Sequence, residues 1–288
     1  MPTTLSLTLP ARAGIGLKPD HYAALLAAVE AGCGPAWVEV HPQNYFGAGG
    51  PPHRWLTAVA DVLPLSFHSV GLSLGSAAGV DAHELDQLAA LCARYQPAQV
   101  SDHLSWSNGG GEYLPDLLPV PYTKAALDHF AAQIGQVQDR LGRTILIENP
   151  SRYIALVGDD YAEAEFLNLL CRRAGCGLLL DINNIDVSAH NLDADAASWL
   201  DAVDAGLVGE IHVAGHARKA DGDGVVMAID DHGSPVRGDC WALLDRFLAR
   251  AGPRPVLVEW DSNVPAFAVL MAEAARADAA LAGLLTDA

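Results

Sequence analysis

Positive charge is scarce in this sequence. Lysine and arginine number 17 against 35 aspartates and glutamates, a net charge of −18 with histidine neutral. A surface so acidic repels phosphate backbones, so nucleic acid is not an expected partner. The chain also lacks any apolar run of the ~18–20 residues that a membrane-spanning helix needs. Met1 to Ala11 has neither the basic start nor the long apolar core of a secretory signal. These absences predict a cytoplasmic protein with no membrane attachment. Cysteine is sparse and odd in number: Cys33, Cys92, Cys171, Cys176 and Cys240, with no C-x-x-C pair. That excludes a disulfide framework and a thiolate zinc knuckle, and the five read as small buried thiols. No linker, low-complexity tract or close internal repeat divides the chain.

Apolar residues, by contrast, make up 51% of the 288 positions, enough for a full core and too many for general disorder. β-Rich apolar runs recur at 14–18, 37–41, 65–70, 99–104, 144–149, 177–183, 209–213 and 255–260. Ala/Leu-rich amphipathic stretches at 20–31, 54–62, 82–95, 123–141, 161–174, 193–203, 240–251 and 266–285 alternate with them. Strand then helix, repeated at a spacing of about 35 residues, predicts an α/β fold: one (β/α)8 TIM barrel spanning 1–288, with a short N-terminal tail at 1–12. The alternative is an open doubly wound sheet, but Gly14-Ile-Gly16 is not the Gly-rich phosphate turn expected after its first strand. Two long connections, 105–121 and 215–238, follow strands. In a barrel they lie at the C-terminal mouth as lids or walls of a site. Trp106, Tyr113 and Tyr122 around the first suit either a substrate cleft or core packing.

The strand ends carry the chemistry. They read Glu39-Val-His41, His68, Asp102-His103, Glu148-Asn149, Asp181-Ile-Asn-Asn184, His212 with His216 following, and Glu259-Trp-Asp261. The last long loop adds Asp230, Asp231 and His232. A closed barrel converges strand C-termini on one mouth, so these residues meet despite their distance in sequence. Imidazoles mixed with carboxylates suit iron, manganese or zinc, and a carboxylate can bridge two ions. Each residue alone also fits a hydrogen-bonding or helix-capping role; Glu39 and Glu210 fit pairing with a neighbour inside the barrel. It is the recurrence at one mouth that predicts a metal site. No G-x-S-x-G elbow and no phosphate loop offers another chemistry.

At these same residues the chain resembles a known family. The segments Gly14-Ile-Gly-Leu, Glu39-Val-His-Pro-Gln-Asn-Tyr45, His68-Ser-Val-Gly-Leu-Ser-Leu-Gly75, Ser101-Asp-His-Leu-Ser-Trp106, Asp116 to Tyr122, Ile147-Glu-Asn-Pro-Ser151, Gly177 to Asn184, Gly209-Glu-Ile-His-Val-Ala-Gly-His216, Asp230-Asp-His-Gly233 and Glu259-Trp-Asp261 are similar to those of the DUF692 family, the multinuclear non-heme iron-dependent oxidases (MNIO), which includes the iron enzyme of methanobactin biosynthesis. The resemblance runs from about Gly14 to the last helix. It implies a barrel holding two or three iron ions, mixed Fe2+ and Fe3+. It also implies oxidative modification of cysteine in a ribosomally synthesised precursor peptide by dioxygen, with a separate partner protein that binds the peptide leader. Carried onto this chain, the ligand positions are His68, His103, Glu148, Asp181, His212, Asp230, His232 and Glu259, with Glu148 as bridge and Glu148 and Asp230 as catalytic residues. Asn44, Asp102, Asn149, Asn184 and His216 would support the ligands or face substrate. Two departures are Asp102 and Gln43, where the family commonly has Glu.

Other readings of the same ligand types are a xylose-isomerase-like barrel, an endonuclease-IV-like phosphodiesterase, and a metal-binding accessory protein without turnover. The net charge disfavours the nuclease. The isomerase needs a lysine or histidine acid/base beside its metals, and no lysine is expected at a strand end. Asp230 and His232, two apart in an extended segment, would share a face. They are expected to complete an ion site peripheral to the one built by His68 and His103.

Overall fold

The computed structural model describes residues 8–109, 112–220 and 222–286. The first part of the expected tail, 1–7, and Gly110-Gly111 in the first long connection lie outside the described residues. In chain order the strands are β1 (Ala13–Gly16), β2 (Val38–Val40), β3 (Leu65–His68), β4 (Gln99–His103), β5 (Trp106–Gly109), β6 (Glu112–Leu118), β7 (Leu146–Glu148), β8 (Gly177–Asp181), β9 (Val208–Ala214), β10 (Ala217–Ala220), β11 (Val226–Ile229) and β12 (Val256–Glu259). The helices are α1 (Tyr22–Glu30), α2 (Pro51–Ala60), α3 (Ala82–Tyr95), α4 (Lys124–Leu141), α5 (Glu163–Ala174), α6 (Ile182–Leu192), α7 (Ala196–Ala202), α8 (Gly238–Ala251) and α9 (Phe267–Thr286).

Eight strands close a parallel barrel in the order β1-β12-β9-β8-β7-β4-β3-β2. The seam pairs Ala13 with Val256 and Ile15 with Val258, while β1 also pairs with β2. β1 therefore has a neighbour on both sides, and the open sheet is excluded. Strands such as Leu178–Leu180 are wholly buried, as a strand covered by helices outside and side chains inside must be. Helix starts follow local chemistry: Asp81 accepts from the N–H groups of His83 and Glu84 to cap α3, and Thr123 accepts from that of Ala126 to cap α4.

The structure departs from the sequence reading at 182–192 and in the two long connections. Residues 182–192, expected as a strand end and a loop, form α6, which starts directly where β8 stops. The expected helix at 193–203 shortens to α7. Each long connection folds into an antiparallel hairpin, β5–β6 after β4 and β10–β11 after β9. The second hairpin is tied to α6, where the Asn191 amide donates to Ala228 O at 3.0 Å and accepts from Ala228 N at 2.9 Å. Of the flanking aromatics, Tyr122 packs in the core, Trp106 is partly buried and Tyr113 is exposed. Four cysteines are buried as expected, whereas Cys33 is exposed. Among the described residues no helix is long and apolar enough to cross a membrane.

The interior of the barrel is not uniformly apolar. Branched aliphatic layers are the usual filling, yet Glu39, Ser66, Glu210 and His212 are all buried here. Ser66 Oγ donates to Glu210 Oε2 at 2.9 Å. These groups lead from the barrel towards its mouth.

Candidate metal centre

His68 ends β3 and His103 ends β4, and both point Nε2 at Glu148, the last residue of β7. His68 Nε2 is 3.0 Å and His103 Nε2 is 3.3 Å from the same Glu148 Oε2. On its far side His68 Nδ1 meets Ser101 Oγ at 2.8 Å. Asn184, in the first turn of α6, donates from Nδ2 to the other Glu148 oxygen at 3.1 Å. The pairing of β4 with β7 places His103 beside Glu148, which is why two strand-end residues distant in sequence share an oxygen.

His212 lies in β9 with no solvent exposure. Its Nε2 is 3.1 Å from Glu39 Oε2 and 3.6 Å from Glu210 Oε1. The opposite nitrogen, Nδ1, faces Glu259 Oε2 at 3.2 Å and Asp181 Oδ2 at 3.9 Å. Asp181 divides its carboxylate. Oδ1 accepts from Asn184 N at 2.6 Å and caps α6, while Oδ2 is buried without a hydrogen-bond partner. Asn149 supports the same turn, accepting from Asp181 N and donating to Asp181 O, both at 2.9 Å.

The rim is built by a loop. His232 Nε2 lies 2.6 Å from Asp230 Oδ1, and its Nδ1 lies 3.5 Å from Glu259 Oε2 and 3.7 Å from Asp261 Oδ2. The segment is turned rather than extended, with His232 at φ 42°, and the ring folds back onto Asp230. Glycine lets this loop seat tightly. A Cβ on Gly215, just past β9, would fall 2.2 Å from Ser234 O, so only glycine permits the approach. Asp261 N donates to His232 O at 2.8 Å and fixes the loop to the end of β12. Lys18, just past β1, reaches Asp261. Lys18, two residues past the end of β1, thus stands at the mouth, where no lysine was expected.

These residues surround a cavity of about 240 Å³ walled by His68, His103, Glu148, Asp230, His232 and Glu259. At about 30 Å³ per water it holds roughly eight waters or one side chain. Asp181 and His212 are fully buried beside it. Of the supporting residues, Asn184 reaches the cavity wall, and His216 reaches Asp230 only through Asn183. Asp102 lies behind the His103 ring, its Oδ1 4.0 Å from Nδ1, and accepts from His103 N at 2.6 Å and Leu72 N at 3.2 Å. Asn44 is exposed and lines no part of the cavity. His41 and Asp261, quoted from strand ends but not among the expected ligands, do line it. The signal for them was their place beside Glu39 and Glu259 at strand ends.

The electrostatics show what such a cluster lacks. Burial pushes the Glu148 and Asp181 carboxyls up, Glu148 against the pull of His212, and each is raised further by neighbouring acids. Burial lowers His68 and His103, and the neighbouring imidazoles add to that, leaving neutral rings with free lone pairs. Burial would also lower His212 and His232. The carboxylates of Glu39 and Glu259 around the first, and of Glu259 and Asp230 around the second, outweigh it and hold both rings charged. Protons are thus gathered where cations would otherwise balance the acids. Glu148 Oε2 and Asp181 Oδ2 are buried with no hydrogen-bond partner, while the charged His212 and His232 rings are held by ion pairs to Glu259 and Asp230. Burying unpartnered carboxylate oxygens is costly. His68–Glu148–His212, Asp181–His212–Glu259 and His41–Glu259–Asp261 each bring one ligand atom per residue to within 4.8 Å of the others. The donor set, imidazole nitrogen and carboxylate oxygen without sulfur, fits iron.

Comparison with known proteins identifies the family and the fold. The family model for the RiPP precursor modification enzyme MbnB/TglH/ChrH matches residues 12–282. A UPF0276 protein of a Caulobacter species is 51% identical over 274 residues, covering 95% of this chain and 96% of its own. One from Chromobacterium violaceum is 46% identical over 277 residues, covering 96% and 97%. Among solved structures, L-ribulose 3-epimerase aligns with a TM-score of 0.61 at 18% identity, covering 96% of this chain and 97% of its own. Endonuclease IV from Thermus thermophilus aligns at 0.55 and 18%, covering 96% and 100%. At those identities the shared feature is the barrel alone. With the family model and close relatives both spanning nearly the whole chain, the protein belongs to the MbnB/TglH/ChrH family of RiPP precursor modification enzymes.

Proposed function

We propose that this protein is a multinuclear iron oxidase that uses dioxygen to modify cysteine in a ribosomally synthesised precursor peptide. One observation carries the reading: imidazoles and carboxylates, Glu148 Oε2 among them without a hydrogen-bond partner, converge on one cavity in a chain of a peptide-modifying family. His68, His103 and Glu148 would hold one ion, Asp181, His212 and Glu259 a second, and Asp230 and His232 with Glu259 a third. Eight ligands exceed the ~6 that one ion takes, so at least two ions are expected, in mixed Fe2+ and Fe3+ states. Bound iron supplies redox electrons and Lewis acidity.

The protein's own residues orient the ligands. Glu39 takes the Nε2 proton of His212 and leaves Nδ1 to the ion, and Ser101 takes the Nδ1 proton of His68 and leaves Nε2. Glu148 and Asp230, the residues assigned to catalysis, both face the cavity. Its size admits one substrate side chain and excludes a folded peptide, which suits a single cysteine inserted from an extended segment. We place the reaction in the cytoplasm, with a partner protein that grips the peptide leader.

The test is to express the protein with ample iron, reconstitute it without oxygen, and measure metal content and peptide-dependent dioxygen uptake. At least two irons per chain, with uptake matched by a mass change at cysteine, are expected. A single tightly held zinc with no iron uptake would overturn the reading.

A further inference from the structure

A second group of ligand atoms lies outside the mouth. Asp186 is carried by α6, His216 follows β9, and Cys240 sits in the first turn of α8. Their ligand atoms lie within 4.8 Å of one another. His216 Nε2 is 3.7 Å and Cys240 Sγ is 4.0 Å from the same Asp186 Oδ2. His216 and Cys240 are closed off from solvent, while the Asp186 side chain is 13% exposed and gives an entry path.

Hydrogen bonding fixes which atom of His216 is free. A carboxylate only accepts, so the Asn183 atom 2.8 Å from Asp230 Oδ1 is the donor Nδ2. Asn183 Oδ1 therefore faces His216 Nδ1 at 2.9 Å. An amide oxygen also only accepts, so the ring proton sits on Nδ1 and the lone pair on Nε2. That Nε2 is buried with no hydrogen-bond partner, and it points at Asp186 and Cys240. Burial, with the Arg237 and Arg218 guanidiniums, holds the ring down to about 4, so it is neutral near pH 7.

We propose that Asp186, His216 and Cys240 form a site for a divalent cation of the zinc class, distinct from the mouth cluster. A thiol that ionises on binding, a neutral imidazole and a carboxylate are the donors zinc takes. Tetrahedral bonds of about 2.0–2.3 Å set neighbouring donors about 3.3–3.8 Å apart; the two edges to Asp186 measure 3.7 and 4.0 Å, and the His216–Cys240 edge is within 4.8 Å. Cys240 Sγ also lies 3.8 Å from Asn183 Oδ1, its other polar contact, which ionisation would release. Binding expels the Cys240 proton to solvent. Thiolate and carboxylate then balance the two positive charges, so Arg218 and Arg237 face a neutral site. His216 keeps its Nδ1 hydrogen bond to an amide oxygen, the outer contact that metal-binding histidines use. A metal here would brace the His216–Asn183–Asp230 chain from outside the mouth.

Cobalt(II) takes zinc sites, and a thiolate bond to it gives a strong near-ultraviolet charge-transfer absorption. The mouth cluster contains no sulfur ligand, so this absorption separates the two sites whether or not the mouth holds iron. The full chain as isolated is titrated with cobalt(II) under anaerobic conditions, and then with zinc. A band that saturates at one equivalent, is bleached by zinc, and is absent from Cys240→Ala is expected. His216→Ala should weaken cobalt binding by more than about tenfold, the least that loss of an outer partner costs. Circular dichroism reports folding, and Cys240→Ser preserves shape if the alanine variant does not fold. No band in the unaltered protein, or a band that survives in the folded Cys240 variant, would overturn the assignment.

Discussion

His212 and His232 approach the same Glu259 oxygen, at 3.2 and 3.5 Å, and otherwise differ. His212 is carried by a barrel strand and has no exposure, and its second nitrogen is taken by Glu39. His232 is carried by a loop in a left-handed conformation, at the rim, with Asp230 on its other nitrogen. The deep half of the cluster is positioned by the sheet before any ion arrives. The rim half is positioned by a loop tied to the end of β12 through His232 O, and an ion would be part of what holds its side chains. Rigid elements place ligands more accurately than loops do.

The largest expected effect is at Glu148, the acceptor that His68 and His103 share. Glu148→Gln should remain folded but lose more than about 100-fold in turnover together with metal, because it removes a ligand rather than the outer partner whose loss costs ~10–100-fold. Unchanged iron content and turnover would make Glu148 a structural residue. Next is Glu39→Gln, which touches only the deep half. It leaves every expected ligand in place but weakens the hold on the His212 Nε2 proton, and the deep ion should bind ~10–100-fold more weakly while the rim ion is kept. Equal loss at both would show that the halves are not separable. Smallest is His232→Ala. One ion should be lost and the others retained, with faster amide exchange confined to about 229–235 as the loop loses its tie. Anomalous diffraction counts the ions position by position, and full occupancy throughout would remove His232 from the ligand set.

The same contrast explains how much was legible. All eight barrel strands were readable from apolar runs, because parallel strands buried on both faces have a plain signature. The strand ends identified the mouth, since topology gathers them whatever the sequence distance. The start of α6 was hidden because Asp181 is at once the last residue of β8 and the cap of the helix, so no loop residues separate them. β-Branched Ile182, Ile185 and Val187 added to the impression of a strand. The two hairpins were hidden by polar, Gly-rich composition that reads as loop. Asp102 was legible as a strand-end acid, but the direction of its side chain was not. That depends on Leu72 N, from a segment 30 residues away. His41 and Asp261 follow the ends of β2 and β12 and line the cavity, so the strand-end pattern that gave the other ligands pointed to them as well.

The seam of the barrel has a consequence for the life of the chain in the cell. β1 meets β12 only when Ala13 finds Val256, and until then strands β2 to β12, which pair in series, are not closed into the ring that turns their ends on one mouth. Ions that bind this constellation therefore recognise the closed state alone. A ligand held at ~100 times its dissociation constant adds about 2.7 kcal/mol to such a state, so each filled position weights the population against opening. On the proposed iron reading, iron supply would govern abundance as well as activity, with chains made in iron-starved cells open more often and meeting proteases more often.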